Sequence, residues 1–244
     1  MNLSVTLATA RRVLSQLRHD HRTLAMLIVV PCVLLALLAW VFDGTSTFDR
    51  IGAPLLGIFP FVIMFLVTSV ATLRERTSGT LERLLTLPIG KLDLLMGYAL
   101  AFGLVAVVQA GAATALAVTL LGLDVAGPVW LLLVVAVLDA LLGMALGLLV
   151  SAFATTEFQA VQFMPAFVLP QFLLCGLLVP RDRMADVLRA VSDVLPLSYA
   201  VDAMRDLTVQ EGVDAATWGD LSVVGLSIVL ALGLGAATLR RRTP

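Results

Sequence analysis

The sequence predicts an all-α integral membrane protein with six transmembrane helices, and three observations carry that expectation. Hydrophobic residues make up 60% of the chain and charged residues 14%, whereas a soluble domain averages roughly 45–50% and 25%. Mean hydropathy is +1.02. Apolar runs at about 23–42, 51–73, 94–121, 129–153, 159–179 and 218–239 are each long enough to cross a hydrocarbon core of about 30 Å. The polar remainder gathers at 3–22, 74–91 and 181–207, so residues 1–244 read as a single membrane domain with three polar attachments.

Residues 3–22 place Leu3, Leu7, Ala10, Leu14 and Leu17 at intervals of three or four, with Arg11, Arg12, Ser15, Arg18, His19 and Arg22 largely off that stripe. The pattern predicts a basic amphipathic helix lying in the interface of an anionic leaflet. His19 and His21 are the only histidines; a metal site needs more ligands, and they read as a solvated pair. The segment is too long and polar for a signal-peptide n-region, and no A-x-A site follows the first apolar run, so no cleavage is expected. Cys32 and Cys175 both fall inside apolar runs and imply no disulfide framework.

The loop at 74–91, RERTSGTLERLLTLPIGK, holds four of the sixteen Lys and Arg residues. Leu81, Leu84 and Leu85 stand at i, i+3, i+4, one apolar helical face. Ser78 or Thr80 can cap its start, Glu82 suits the first turn and Pro88 ends it. With the N-terminus inside, eleven Lys and Arg residues fall on the inner segments and five on the outer ones. That bias predicts a multi-pass protein of the cell membrane with both termini, and this loop, in the cytoplasm.

The fourth span carries Asp139, the ionisable residue deepest in hydrocarbon. Asp139, Gly143, Gly147 and Ser151 are spaced by four and share a face, and Gly143-x-x-x-Gly147 is a small-residue seam on which another helix can approach. Asp139 has two readings, a proton or substrate site and a buried packing residue. The third span offers a second seam at Gly111, Ala115 and Thr119, with Gln109 nearby. The fifth span holds Gln159, Gln162, Pro165, Pro170 and Gln171; two prolines bend it, as a cavity-lining helix or as a merely kinked one. In the outer segment, Met184, Val187, Leu188, Val191 and Leu195 form one stripe, and Leu197, Ala200, Val201 and Met204 another. Two short amphipathic helices dipping into the outer leaflet are expected there. Arg240–Arg242 anchor the last span.

In this order the elements resemble the membrane subunit of ABC-2 type exporters of the daunorubicin-resistance class. The local marks are Arg74-Glu-Arg-Thr-Ser-Gly-Thr-Leu-Glu-Arg-Leu-Leu-Thr86 with Pro88-Ile89 and Gly97-Tyr98, then Ser151 to Phe163, and then Pro170-Gln171, Gly176, Pro180 and Leu195-Pro196-Leu197-Ser198-Tyr199. The resemblance covers essentially the whole chain. It implies that the loop holds a coupling helix seated on a separate ATPase subunit, with Glu75, Arg76, Leu81, Glu82, Arg83 and Leu84 as docking residues. It also implies two permease and two ATPase chains, outward movement of a drug, antibiotic or lipid-like molecule by alternating access, and ATP and Mg held by the partner. Asp139 is not carried over as a family residue. Asp139, Gly143, Gly147, Gln159, Gln162, Pro165 and Pro170 are expected to serve helix packing or the path.

No G-x-x-x-x-G-K-[ST] occurs; Gly90-Lys91 is followed by Leu92 and lacks a glycine-rich lead-in. The chain is therefore expected neither to bind a cofactor nor to hydrolyse ATP, and no nucleic-acid partner is expected. Two other classes make different demands. A proton-coupled secondary transporter using Asp139 calls for further intramembrane ionisable groups and internal repeats. A membrane-embedded transferase calls for clustered polar residues at the interface. The sequence offers neither.

Overall fold

Residues 2–43, 45–79 and 90–238 are described by a computed structural model, Lys91 by its backbone alone. Among them the secondary structure is helical throughout: α1 (Leu3–His19), α2 (His21–Val41), α3 (Thr47–Thr77), α4 (Lys91–Thr119), α5 (Val129–Ser151), α6 (Glu157–Leu174), α7 (Asp186–Ser192), α8 (Pro196–Val209) and α9 (Ala215–Thr238), with a 3-10 turn at Arg181–Arg183. Five of the described helices, α2, α3, α4, α5 and α9, are long and apolar enough to cross a membrane.

The sequence predicts six such helices, and the difference lies in α6. Its 18 residues reach about 27 Å, and Glu157, Gln159, Gln162 and Gln171 with two prolines dilute its apolar character. Past Leu174 the chain leaves the helix and turns at Gly176, whose φ of 91° lies in the left-handed region, where a residue without Cβ meets no steric penalty.

Two other boundaries differ from expectation for local reasons. The N-terminal helix ends at His19, not Arg22, because Asp20 serves both neighbours. Its backbone N–H donates to the Gln16 and Leu17 carbonyls, closing α1, while its carboxylate accepts from Thr23 N at 3.1 Å and Thr23 Oγ1 at 2.6 Å, capping α2. Helix α3 runs for 31 residues, so Arg74–Thr77 form its last turn instead of opening a loop.

α3 and α5 make the most extensive helix pair in the fold. Lipid tails are as apolar as leucine, so van der Waals contact at small residues must hold such a pair. Gly143 and Gly147 provide it: a Cβ on Gly143 would land on the Phe61 carbonyl oxygen, and one on Gly147 would lie 2.5 Å from that of Phe65. Phe61 and Phe65 are fully buried. The seam expected on α4 sits elsewhere. Ala115 and Thr119 are exposed, and a Cβ on Gly111 would meet nothing within 4 Å. Instead α4 turns Ala106, Ala110, Ala113 and Ala117 inward, and Gln109 Nε2 donates to the Leu27 carbonyl on α2 at 2.8 Å.

The second helix of the 181–207 segment is a core element, contrary to the expectation that it dips into a leaflet. Leu197, Ala200, Val201 and Met204 of α8 are at most 1% exposed, packed on α3, α5 and α9. Its stripe finds the glycine face of α3 instead of lipid. Helix α7 keeps Val187, Leu188 and Val191 exposed. Between them, Ser192 Oγ donates to the Leu174 carbonyl at 2.7 Å and lies 3.0 Å from Ser198 Oγ, and the Tyr199 hydroxyl donates to the Asp193 carbonyl at 2.7 Å. Arg181 pairs with both Asp193 and Asp202 and stands 5.2 Å from the Tyr199 ring centroid. Gly127 N donates to the Leu207 carbonyl at 2.9 Å, pinning the α4–α5 connection to α8.

Gly143→Ala is expected to push α3 from α5 and to lower the stability of the detergent-extracted protein by about 1–3 kcal/mol. Gly111→Ala, in open space, should be neutral or slightly stabilising. Thermal unfolding of the two variants side by side checks this; equal melting temperatures would remove the seam from the packing argument.

Candidate functional site

At the α1 end of the bundle, charged side chains join helices. Helix α1 lays Thr6, Thr9, Ala10, Val13 and Leu17 inward, and Arg12 beside them is half-buried. Its Nη1 and Nη2 donate to the two carboxylate oxygens of Glu75 at 3.1 and 3.0 Å, and Nη2 also reaches the Tyr98 hydroxyl at 3.1 Å. The Tyr98 hydroxyl donates to Glu75 Oε2, and the guanidinium lies 5.9 Å from the Tyr98 ring centroid. Burial pulls the Arg12 pKa down, its bonds to Glu75 and the neighbouring Tyr98 push it up, and the net shift is upward. The Arg12 and Glu75 side chains are only 27% and 15% exposed, so this is a bidentate, charge-assisted pair shielded from most of the solvent. It ties α1, the last turn of α3 and the start of α4 together. A second tie runs from Asn2 N to Asp93 Oδ1 at 2.8 Å.

The same turn of α3 reaches two further helices. Arg76 Nη1 donates to the Ser151 carbonyl at 2.8 Å and Nη2 to that of Ala154, a cation on carbonyls at a helix C-terminus, where the dipole favours it. Arg74 binds Glu157 through Nε and Nη2 at 2.9 and 3.1 Å and holds that carboxyl below its ordinary range by hydrogen bond and charge. Both side chains are more than half exposed, so this pair contributes little to stability. Glu75 and Arg76 are thus engaged inside the chain. Leu81, Glu82, Arg83 and Leu84, with Thr80, Pro88 and Arg240–Arg242, lie outside the described residues.

Gln159 completes a cap. The Thr156 hydroxyl accepts from Gln159 N at 3.1 Å, and Gln159 Oε1 accepts from Thr155 N and Oγ1 at 2.9 and 2.8 Å, a reciprocal arrangement that starts α6. Gln162, Pro165 and Pro170 are exposed on α6, whereas Gln171 is buried, its Nε2 donating to the Phe167 carbonyl at 3.2 Å.

Asp139 stands mid-way along α5, fully buried. A Cβ on Gly57 would lie 2.7 Å from its Oδ2 and 2.8 Å from Met204 Cε, so the carboxyl is enclosed by α3 and α8. Neither oxygen has a hydrogen-bond partner among the described residues. Among those residues no group of three His, Cys, Asp or Glu side chains could hold a metal ion.

Sequence reasoning missed Arg12, which it placed on the wet face with Arg11, and it missed the role of Tyr98. A signal existed for the second: Leu94, Leu95, Tyr98, Ala101 and Phe102 repeat at helical spacing, putting the hydroxyl on the buried face of α4.

Apolar helices packed through small residues and tied at one end by ion pairs define a multi-pass helical membrane protein. Comparison with known proteins narrows the class: the profile described as ABC-2 type transporter matches residues 4–208, and the chain belongs to that family. Among curated proteins it is similar to the probable multidrug ABC transporter permease YbhS of Escherichia coli strain K12, 27% identical over 182 residues, which are 74% of this chain and 48% of YbhS. It is also similar to the probable multidrug ABC transporter permease YbhR of the same strain, 27% identical over 188 residues, 77% of this chain and 51% of YbhR. ABC transporter G family member 20 of Dictyostelium discoideum is 25% identical over 162 residues, 66% of this chain and 22% of that protein. The chain spans about half the length of the two bacterial relatives.

Arg12→Ala is expected to destabilise the purified protein by about 1.5–3 kcal/mol, because it strips a charged hydrogen-bonding partner from Glu75. Arg74→Ala should cost less than about 1 kcal/mol. Hydrogen exchange across α1 checks the assignment: faster exchange in the Arg12 variant alone is the expected pattern, and equal effects of the two would refute it.

Proposed function

We propose that the chain is the membrane-spanning permease of an ATP-binding-cassette exporter, of the daunorubicin-resistance type within its family. In this reading α6 and the turn after it complete a sixth crossing, both termini face the cytoplasm, and two copies assemble with two separate ATPase chains that hold ATP and Mg. The substrate is hydrophobic or amphipathic, a drug, antibiotic or lipid-like molecule, moved outward by alternating access.

The observation that carries the reading is the set of ties at the end of α3. A coupling loop is useful only if force on it reaches the spans, and Glu75 and Arg76, the residues that lead into the loop, are held by α1, α4 and α5. Leu81, Glu82, Arg83 and Leu84 then make the ATPase contact, while Glu75 and Arg76 convert its movement into movement of the helices. The outward-facing Gln162, Pro165 and Pro170 on α6 suit a surface that meets the second copy or the path between copies.

The test is co-purification of the full chain in mild detergent. An ATPase subunit at one-to-one stoichiometry is expected, and Glu82→Lys with Arg83→Glu should leave insertion intact while abolishing substrate-stimulated ATP turnover. A chain that purifies alone, or a double variant with normal stimulation, sinks the proposal.

A second reading rests on the unpartnered carboxyl of Asp139, a proton carrier in a secondary transporter. The two diverge at Asp139→Asn, which keeps shape and removes titration. ATP-driven export is expected to survive in that variant with less than about a tenfold loss, the equivalent of roughly 1.4 kcal/mol. Abolished export with intact ATPase binding would transfer the mechanism to Asp139.

A further inference from the structure

Where α1 meets α2, a basic hollow and an apolar groove share part of their lining. The hollow, about 620 Å³, is lined by Arg11, Leu14, Ser15, Arg18, His19 and His21. Every ionisable side chain in that lining is a base. Neither Arg11 nor Arg18 joins an ion pair among the described residues, in contrast to Arg12, which is turned inward to Glu75. His19 Nδ1 lies 2.7 Å from the Ser15 carbonyl oxygen, a geometry that puts a proton on Nδ1 and leaves Nε2 for other partners. Asp20, between the two histidines, is bound to Thr23. The groove, about 270 Å³, passes between Leu24 and Ile28 of α2 and Leu104 and Val108 of α4. Leu14 and Arg18 line both spaces.

We propose that this composite site holds one anionic glycerophospholipid of the leaflet on the α1 side, its phosphate in the hollow and an acyl chain along the groove. Arginine guanidinium groups match phosphate oxygens in charge and in fork geometry. Arg18 belongs to both halves because its aliphatic stem covers apolar surface while its head stays at the polar level. Free phosphate or an acidic protein surface would occupy the hollow and leave the groove unfilled. A lipid is the occupant that uses both, since α2 and α4 are long and apolar enough to cross a membrane and a groove between two such helices suits an acyl chain. The proposal rests on the membrane reading of α2 and α4 and not on ATPase docking, so the two fail separately.

The experiment is native mass spectrometry of the full chain in mild detergent, titrated with dioleoyl phosphatidylglycerol or dioleoyl phosphatidylcholine. The anionic lipid is expected to be retained at least tenfold better. Arg11→Gln with Arg18→Gln should lower its retention by roughly 25-fold, at roughly fivefold per basic residue near the surface. Arg18→Lys, which keeps the charge, should retain most of it. Val108→Trp, which fills the groove at an exposed position, should weaken retention with the basic hollow intact, and millimolar inorganic phosphate should not displace the lipid. Equal retention of the two lipids, or an unaffected Gln double variant, overturns the site. Displacement by inorganic phosphate with no effect of Val108→Trp would make it a simple anion site. Loss of ATPase co-purification in the Gln double variant, with lipid retention unchanged, would assign the hollow to the ATPase. Either result also refutes the proposal.

Discussion

The close approach of α3 and α5 is the contact on which the remaining packing depends. Inside a bilayer, burying apolar surface between helices brings little gain over leaving it in lipid, so association rests on dispersion and on how near two backbones can come. Gly143 and Gly147 let the Phe61 and Phe65 backbone sit against α5. That registers Gly57 opposite Asp139, and the remaining space receives Met204 of α8. Each later contact presupposes the one before it. The glycine edge is therefore a constraint on geometry first and a source of energy second.

The two ends of the bundle are held by different chemistry. At the α1 end, one turn of α3 supplies Arg74, Glu75 and Arg76 to four neighbouring helices, through carboxylate pairs and helix-terminal carbonyls. At the other end, the hairpin of α7 and α8 is closed by hydroxyls and by Arg181 between two aspartates. The first end is a joint linked by charge, the second one linked mainly by hydroxyls. Asp20 alone separates α1 from α2, yet α1 packs more on α4 than on α2, and Arg12 and Asn2 bind it to α3 and α4.

Much of the helical order was legible in the sequence, because a run of about twenty apolar residues has few alternatives to a spanning helix. The glycine seam on α5 was legible too, since spacing by four fixes a face. What escaped notice depended on partners. Ala106, Ala110, Ala113 and Ala117, and not Gly111, Ala115 and Thr119, form the buried face of α4, a choice set by where α2 and α5 lie. Arg12 and Arg11 are equivalent by composition and differ only in helical phase. The stripe on α8 reads the same whether it meets lipid or protein; only Gly57 across from Met204 decides. α6 fell short of a sixth apolar span because its glutamines and prolines counted against it. Of the residues expected to touch an ATPase, Glu75 and Arg76 are bound within the chain, and Leu81, Glu82, Arg83 and Leu84 lie outside the described residues.

The burial of α8 bears on how the molecule is made. Residues 196–209 follow α3 and α5 in the chain, yet they fill the space between them. During synthesis the earlier spans are in the membrane before their central filler exists, with the Gly57 face open and the Asp139 carboxyl not yet enclosed. In the proposed six-crossing topology the hairpin crosses to the far side and folds back before the bundle is complete. A chain interrupted ahead of Pro196 would hold α2 to α5 but lack both α8 and α9, leaving its interior unsealed. Placing α2 to α5 and closing the space beside them are therefore separate events, and the second waits on α8, whose 14 residues are too few for a span.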